Sequence, residues 1–488
     1  MELRHLKYLN LSLSQFSQSN IPEFFGSLSN LRFLDLRASY SGGRIPHDLA
    51  RLSHLQYLDL SANGLEGTIP HQLGILSHLQ YLDLSSNFLV GTVPHQLGSF
   101  SNLQELHLGY NRGLKVYVGG EWLSNLTFLT HLDLSGTPNL SSSHHWLEMI
   151  LKLSRCDLSD LYLLSISRSQ LNFSSSLEIL DLSNNAFSLS KIFEWVFNAT
   201  SNLIELDLHF NMFEGTIPYD FGNSRNHLER LDLSSNKLEG ETSMEPFRDI
   251  CSLHSLNLNF NYLNEDISTI LLKLSGCARY TLQDLSLRYN HITGTLPNLS
   301  IFPSLITIDL SSNMLRGKVP HGIPKLLESF VLSSNSLEGG IPKSFGNLCS
   351  LRMLDLSNNK LSEDFSVMLH NLSVGCAKYS LQELYLFGNQ IIGTVPDMSG
   401  FSSLEKLFLY VNKLNGRIPK HSTFPGRLER LYLDFNNLKG VITDSHFGNI
   451  SMLKHLNLNY NSLTLMFSEN WVPPFQFSNI PEILYFRT

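Results

Sequence analysis

The spacing LxxLxLxxN, or a close variant, comes round nineteen times in this 488-residue chain, at intervals of 22 to 30 residues and usually followed by LxGxIP. Three turns show it nearly pure: LQYLDLSANGLEGTIPHQLGILSH at 55–78, LQYLDLSSNFLVGTVPHQLGSFSN at 79–102 and LIELDLHFNMFEGTIPYDFGNSRN at 203–226. A unit this short cannot bury its own apolar side, so it must stack on its neighbours as one turn of a solenoid. Such a coil builds a long concave surface suited to binding other molecules, which points away from catalysis.

Counting each repeat from its first leucine, the starts fall at 6, 31, 55, 79, 103, 129, near 148, then 177, 203, 228, 253, 282, 305, 327, 351, 381, 404, 428 and 453. The xxLxLxx part predicts a short parallel strand with leucines inward and the residues between them outward, because side chains alternate across a strand. The asparagine (Asn63, Asn87, Asn185, Asn211, Asn236, Asn261) turns its amide inward, which is tolerable only if it is fully hydrogen-bonded. The Gly and Pro of GTIP, GTVP, GRIP and GKVP shape the convex-side turns. The expected fold is an α/β-type solenoid, a leucine-rich-repeat horseshoe or superhelix with a concave parallel sheet and a 3-10 or irregular convex side. It covers 1–463, and 464–488 (TLMFSENWVPPFQFSNIPEILYFRT) reads as a non-repeat tail. Between Tyr110 and Leu153 the period fits poorly, and the repeat near 148 puts Glu148 where leucine is expected. Two longer repeats carry inserts, and 251–320 aligns with 349–419 as an internal duplication.

A net charge of −8 with 35 Lys+Arg against 43 Asp+Glu and no basic cluster gives nucleic-acid binding little support. No apolar run reaches membrane-spanning length, and MELRHLKYLNLS lacks the succession of a secretory signal. Eight N-x-[ST] sequons nevertheless occur, at Asn10, Asn125, Asn139, Asn172, Asn198, Asn298, Asn371 and Asn449. Cys251 and Cys349 each precede a repeat's first leucine by two residues, and Cys277 and Cys376 each precede the next one by five. Neighbouring turns stack at about 4.8 Å, close to the Cα separation of a disulfide. Cys251–Cys277 and Cys349–Cys376 are therefore read as bridges made in an oxidising compartment, the alternative being four buried thiols. Cys156 reads as standing at an asparagine position, unpaired.

No HExxH, GxSxG, GxxxxGK[ST], CxxC or GxGxxG occurs, and His144 and His145, being adjacent, point apart rather than share a metal. Neither an enzyme nor a cofactor is expected. The outward column before the third leucine carries Asp35, Asp59, Asp83, Asp133, Asp181, Asp207, Asp232, Asp309 and Asp355, a repeat feature rather than a catalytic pair. Further on this column becomes Tyr385, Phe408 and Tyr432, with Phe387, Tyr410, Phe435 and Tyr460 beside it. All seven are expected to face outward, and an exposed aromatic strip generally marks an interaction site. Glu383, Lys406, Arg430 and His455 run alongside and would add specificity. The competing reading is cross-strand stacking that serves only the sheet.

The LxGxIP turns, the LDLSSN strands, HHWLEMI, the paired CSL…GCA cysteines and SENWVPPFQ together resemble plant leucine-rich-repeat receptor-like proteins of the Cf and ethylene-inducing-xylanase receptor type, over roughly 1–476. The resemblance implies a cell-surface ectodomain at the plasma membrane that senses an extracellular peptide, glycan or protein in defence or development. Signalling would pass through partner receptor kinases, with no kinase of its own. Members carry a signal peptide, an N-terminal cap and a transmembrane helix. Here Met1 opens inside a repeat and FSNIPEILYFRT after Gln476 departs from the pattern, so the expectation is a partial ectodomain, attached to a membrane only through a segment beyond this sequence. The rivals are a secreted protein similar to polygalacturonase inhibitors and the ectodomain of a receptor kinase.

Overall fold

The computed structural model describes residues 2–14, 16, 20–40, 42–116, 122–137, 152–161, 176–188, 202–218, 221, 227–240, 244–419 and 424–475. Two compact units divide the chain, Met1–Glu214 with Asn223–Asn236, and Gly215–Gly222 with Lys237–Thr488. In the first, three-residue strands from Tyr8–Asn10 to Arg230–Asp232 pair in parallel, each with the next repeat's strand and in the same register. In the second, strands from Ser255–Asn257 to His455–Asn457 do the same. Among the described residues the strands of these two ladders number nineteen, one for each repeat.

One repeat is differently placed from the sequence reading. Cys156 lies opposite Leu132 and Leu180, so it occupies a leucine column, not the asparagine position. Leu153 therefore opens the repeat, 24 residues after Leu129 and 24 before Leu177, and the start near 148 with Glu148 in a leucine place is wrong. A fully buried cysteine behaves as a small hydrophobe, which hides the pattern from a search for leucine. Leu161 stands where asparagine would be, and its N–H goes to Asn185 Oδ1 at 3.2 Å. Cys156 is unpaired.

Inward leucines such as Leu58, Leu60, Leu82 and Leu84 are wholly buried, each stabilising the stack by about 1.5–3 kcal/mol. The buried asparagines complete it. Asn87 Nδ2 donates to Leu60 O, Leu84 O and Ser85 O, each at 3.0 Å, and Oδ1 accepts from Asn63 N at 3.0 Å and Leu65 N at 2.9 Å. One amide thus bonds its own turn and the one before. The residue preceding it is left-handed, as at Ala62 with φ 54° and Ser86 with φ 55°.

The convex side is more regular than expected. After the asparagine the LxG segment pairs in short parallel ladders, as Glu66–Gly67 with Phe88–Thr92. Proline then opens a 3-10 helix, Pro70 before His71–Ile75 and Pro94 before His95–Ser99. The two inserts form α-helices, Ile267–Lys273 and Phe365–Ser373, N-capped by Asp266 and Asp364. Beside them the structure closes Cys251–Cys277 and Cys349–Cys376, with Cα separations of 5.0 and 4.9 Å. At the end of the described chain Ser462–Met466 pairs with Lys439–Thr443, and Phe467, Trp471 and Phe475 gather around Phe447 at ring distances of 6.0–6.2 Å.

Two stability measurements check these devices. Asn87→Ala leaves several buried backbone groups without a partner and is expected to cost about 3 kcal/mol in denaturant unfolding. Replacing Cys251 and Cys277 together by Ser opens a loop of 26 residues, expected to cost about 3 kcal/mol through chain entropy. Peptide mapping without reduction reads the same two bridges directly.

Candidate ligand-binding face

Glu383–Tyr385, Lys406–Phe408 and Arg430–Tyr432 are consecutive strands of the second unit, with Tyr385, Phe408 and Tyr432 in register. The alternation that buries Leu384, Leu407 and Leu431 sends these rings to the solvent side, where all three are half-buried. Tyr385 meets Phe408 edge-on with centroids 5.0 Å apart, and Phe408 meets Tyr432 at 4.6 Å. Two residues along, Phe387 and Tyr410 stack at 4.4 Å, and the Tyr410 ring stands at 82° to that of Tyr432, 6.4 Å away. Five of the seven aromatics therefore form one continuous surface.

Phe435 and Tyr460 are placed differently. Both occupy the left-handed turn after their strands, with φ 51° and 54°, and stack on each other at 4.1 Å. They stand past the end of the strand, because the turn redirects the chain just before the asparagine.

Glu383, Lys406, Arg430 and His455 are in register beside the rings. Glu383 takes Lys406 Nζ on one oxygen at 2.7 Å and the Tyr385 hydroxyl on the other at 2.5 Å. Burial, then the Glu383 carboxylate, pushes the Tyr385 phenol well above its ordinary value. Arg430 is exposed.

The repeat position held by Glu383, Lys406 and Arg430 carries aromatics in the first repeats, which the sequence reading passed over. Tyr8, Phe33, Tyr57 and Tyr81 stack face to face at 4.2–4.3 Å. The alternation rule applied to the first repeats would have found them. Their faces are spent on one another, as cross-strand ladders do. Most described aspartates of the repeat column are likewise committed: Asp59 Oδ1 accepts the Ser61 N–H at 2.9 Å and hydroxyl at 2.6 Å, and Asp83 and Asp355 are bound alike. Asp157 joins this column once the seventh repeat is placed correctly. It lines an open cleft of about 250 Å³ with His107, Asp133, Arg155, Asp181 and Asp207. Burial, and then the Asp181 and Asp133 carboxylates, outweigh the Ser159 hydrogen bonds and raise its pKa to about 6.

Of the sequons, Asn125, Asn298 and Asn449 are exposed. Asn10 Nδ2 donates to Asp35 Oδ2 at 3.0 Å and Asn371 Nδ2 to Ile341 O at 2.8 Å. Asn139, Asn172, Asn198, His144 and His145 lie outside the described residues. Among the described residues no helix is long and apolar enough to cross a membrane.

A ladder of parallel strands, an inward asparagine on most turns and an LxGxIP convex side define a leucine-rich-repeat protein. The leucine-rich repeat region family matches residues 1–217, and the Leucine Rich Repeat family matches 304–326, 327–348 and 350–372. The chain belongs with the plant receptor-like proteins of that class. It is 35% identical over 98% of its length to Receptor-like protein EIX1 of Solanum lycopersicum, and 30% identical over 48% to Receptor-like protein 54 of Arabidopsis thaliana. It spans 39% and 31% of those relatives' lengths. Among solved structures it is similar to the plant peptide hormone receptor RGFR1 in complex with RGF2, with TM-score 0.57 and 28% identity, covering 94% of this chain and 79% of that one. It is also similar to the Arabidopsis receptor kinase HAESA in complex with the peptide hormone IDA and the co-receptor SERK1, with TM-score 0.61 and 25% identity, covering 94% and 83%.

The raised Asp157 pKa sets a pH test. Between its ordinary value of 3.8 and about 6 the folded chain holds a proton that the unfolded chain has lost, so ionising Asp157 above that window costs stability. Asp157→Asn is expected to raise stability at pH 7 by on the order of 1 kcal/mol, an advantage that fades as pH falls through 6 to 4. Denaturant midpoints of the two proteins across that range read it.

Proposed function

We propose that this chain is the ligand-binding part of a plant cell-surface receptor-like protein at the extracellular face of the plasma membrane. It recognises a peptide, glycan or protein through the sheet of its second unit and leaves signalling to a partner receptor kinase. The observation that carries the reading is the surface of Tyr385, Phe387, Phe408, Tyr410 and Tyr432, half-buried rings on three successive strands facing solvent. Such rings offer large contact area at low entropic cost, as binding hot spots do. The Glu383–Lys406 pair beside them supplies a fixed polar margin. Support also comes from the RGFR1 and HAESA structures, whose ectodomains hold peptide hormones.

The N-terminal ladder makes the rival reading concrete, since there the same kind of column stacks in a regular face-to-face row. At the C-terminal end Phe387 and Tyr410 keep that stacking, but Tyr385 with Phe408 and Tyr410 with Tyr432 depart from it, meeting edge-on at 82°. Tilted rings leave faces uncovered, which favours binding.

The test is the secreted full chain, used to select peptides from a random displayed library. Replacing Tyr410 and Tyr432 together by Ala is expected to change stability by only about 1 kcal/mol. Affinity for the selected peptides is expected to fall about thirtyfold, or 2 kcal/mol. Lowered stability with binding unchanged would assign the rings to the sheet alone.

A further inference from the structure

We propose that Asp434, with Tyr410 and Tyr432, forms a pocket for a cationic side chain, arginine or lysine, on an extended polypeptide ligand; this rests on the aromatic surface being the binding face.

The repeat explains why this carboxylate is unusual. Elsewhere a D-x-S pattern puts aspartate in the middle outward column, where serine two residues on supplies an N–H and usually a hydroxyl, as Ser61 does for Asp59 and Ser357 for Asp355. At 432–434 the order becomes Y-x-D. The aspartate moves one outward position along the strand and loses its serine. Two residues on stands Asn436, whose amide is already committed to Leu409 O, Leu433 O and Asp434 O.

Asp434 is also buried, at 7% exposure. Among the described residues the donor that meets its carboxylate is its own backbone N–H. A desolvated carboxylate held by one donor is costly, and a cation placed against it recovers the loss. The nearest basic side chain on its own strand, Arg430, is four residues back, roughly 13 Å along an extended chain. Lys406 is already engaged with Glu383.

The aromatic neighbours complete the chemistry. Val411 N donates to Asp434 O at 3.0 Å, so Asp434 stands next to Tyr410 in the column Phe387, Tyr410, Asp434. Tyr432 lies two residues earlier on the same side of the same strand. The two tyrosine rings are perpendicular with centroids 6.4 Å apart, a corner rather than a closed stack. Ring faces attract cations within about 6 Å of their centroids, and here a carboxylate lies beside them. A neutral sugar would gain the rings but leave the charge unmatched, so a polypeptide with arginine or lysine is the better fit.

The experiment selects peptides from a random displayed library on the secreted full chain, then repeats binding with Asp434→Asn, Tyr410→Ala and the Asp157→Asn, Asp181→Asn double variant. The expected result is enrichment of arginine or lysine at one peptide position. Citrulline in place of that arginine, or norleucine in place of that lysine, should lower affinity about tenfold. Asp434→Asn should do the same, and combining the two changes should add nothing further. Selected peptides that lose affinity with Tyr410→Ala, yet carry no cation and ignore Asp434→Asn, would overturn the pocket while the aromatic face stood. Peptides indifferent to both Tyr410 and Asp434, or cationic peptides that respond only to Asp157 and Asp181, would overturn both.

Discussion

The amide of one buried asparagine per turn is what makes a stack of three-residue strands possible. A strand of three residues has too few ladder bonds to define where the chain leaves the sheet, and it leaves there into an apolar interior. Asn63 takes the N–H groups of Ser39 and Tyr40 on its oxygen, and gives its two hydrogens to Leu36, Leu60 and Ser61 carbonyls. Five backbone groups that would be buried unsatisfied are thereby paired. The bonds run to the previous repeat as well as within the turn, so the asparagines fasten neighbours edge to edge while leucines fill the space between. Where asparagine is absent, at Ser39 and Thr137, a hydroxyl takes over part of the duty, donating to Leu11 and Leu134 carbonyls.

This arrangement constrains the proposed binding face more than the face's own residues do. To point the amide inward, the preceding residue adopts a left-handed conformation; among the described residues fourteen non-glycine residues do so before an asparagine, and Leu13, Ala38 and Asp160 do so at the same place before Ser14, Ser39 and Leu161. Such conformations disfavour branched and bulky side chains, yet Phe210, Phe260, Phe435 and Tyr460 occupy them. Their rings cannot join the sheet face, which is why Phe435 and Tyr460 stack on each other beyond it. The usable surface is therefore limited to the outward positions on and just after the strand.

The period, the inward leucines and both disulfides were legible because each follows from the simple alternation and fixed offset of a stacked turn. Cys156 shows where that legibility ends: a cysteine can fill a leucine hole by size, and a search for leucine then slides the frame toward Glu148. The misplaced frame also hid Asp157, the aspartate whose pKa rises to about 6. The site was half legible. Alternation identifies which side chains face outward, but whether two neighbouring rings lie flat or edge-on depends on rotamers and on what each phenol can bond. Tyr385 turns its hydroxyl back to Glu383 and meets Phe408 edge-on, whereas Tyr81 reaches forward to Asp83 Oδ2 at 3.3 Å and lies parallel to Tyr57. The loss of a serine partner at Asp434 can be read from Y-x-D alone, provided D-x-S is recognised as a hydrogen-bonded unit.

The internal duplication shows which parts of an insert must be kept and which can drift. Both copies keep the N-capping aspartate, Asp266 and Asp364, and both keep the bridge behind the helix. In the first copy Lys273 reaches back to Glu265 at 2.9 and 3.1 Å, with side-chain exposures of 15% and 7%. In the second, Asn371 stands in place of Lys273 and its amide goes instead to Ile341 O. Glu363, the counterpart of Glu265, is left with one oxygen buried and unpartnered among the described residues. That oxygen lies so close to Gly340 that a Cβ added there would come within 1.9 Å. Cap and disulfide hold the helix against the neighbouring turn regardless of the ion pair, so the pair could be lost without unseating it. The convex side thus tolerates an imperfect polar contact that the asparagine column does not, with five backbone groups resting on Asn87 and four on Asn359 and Asn436.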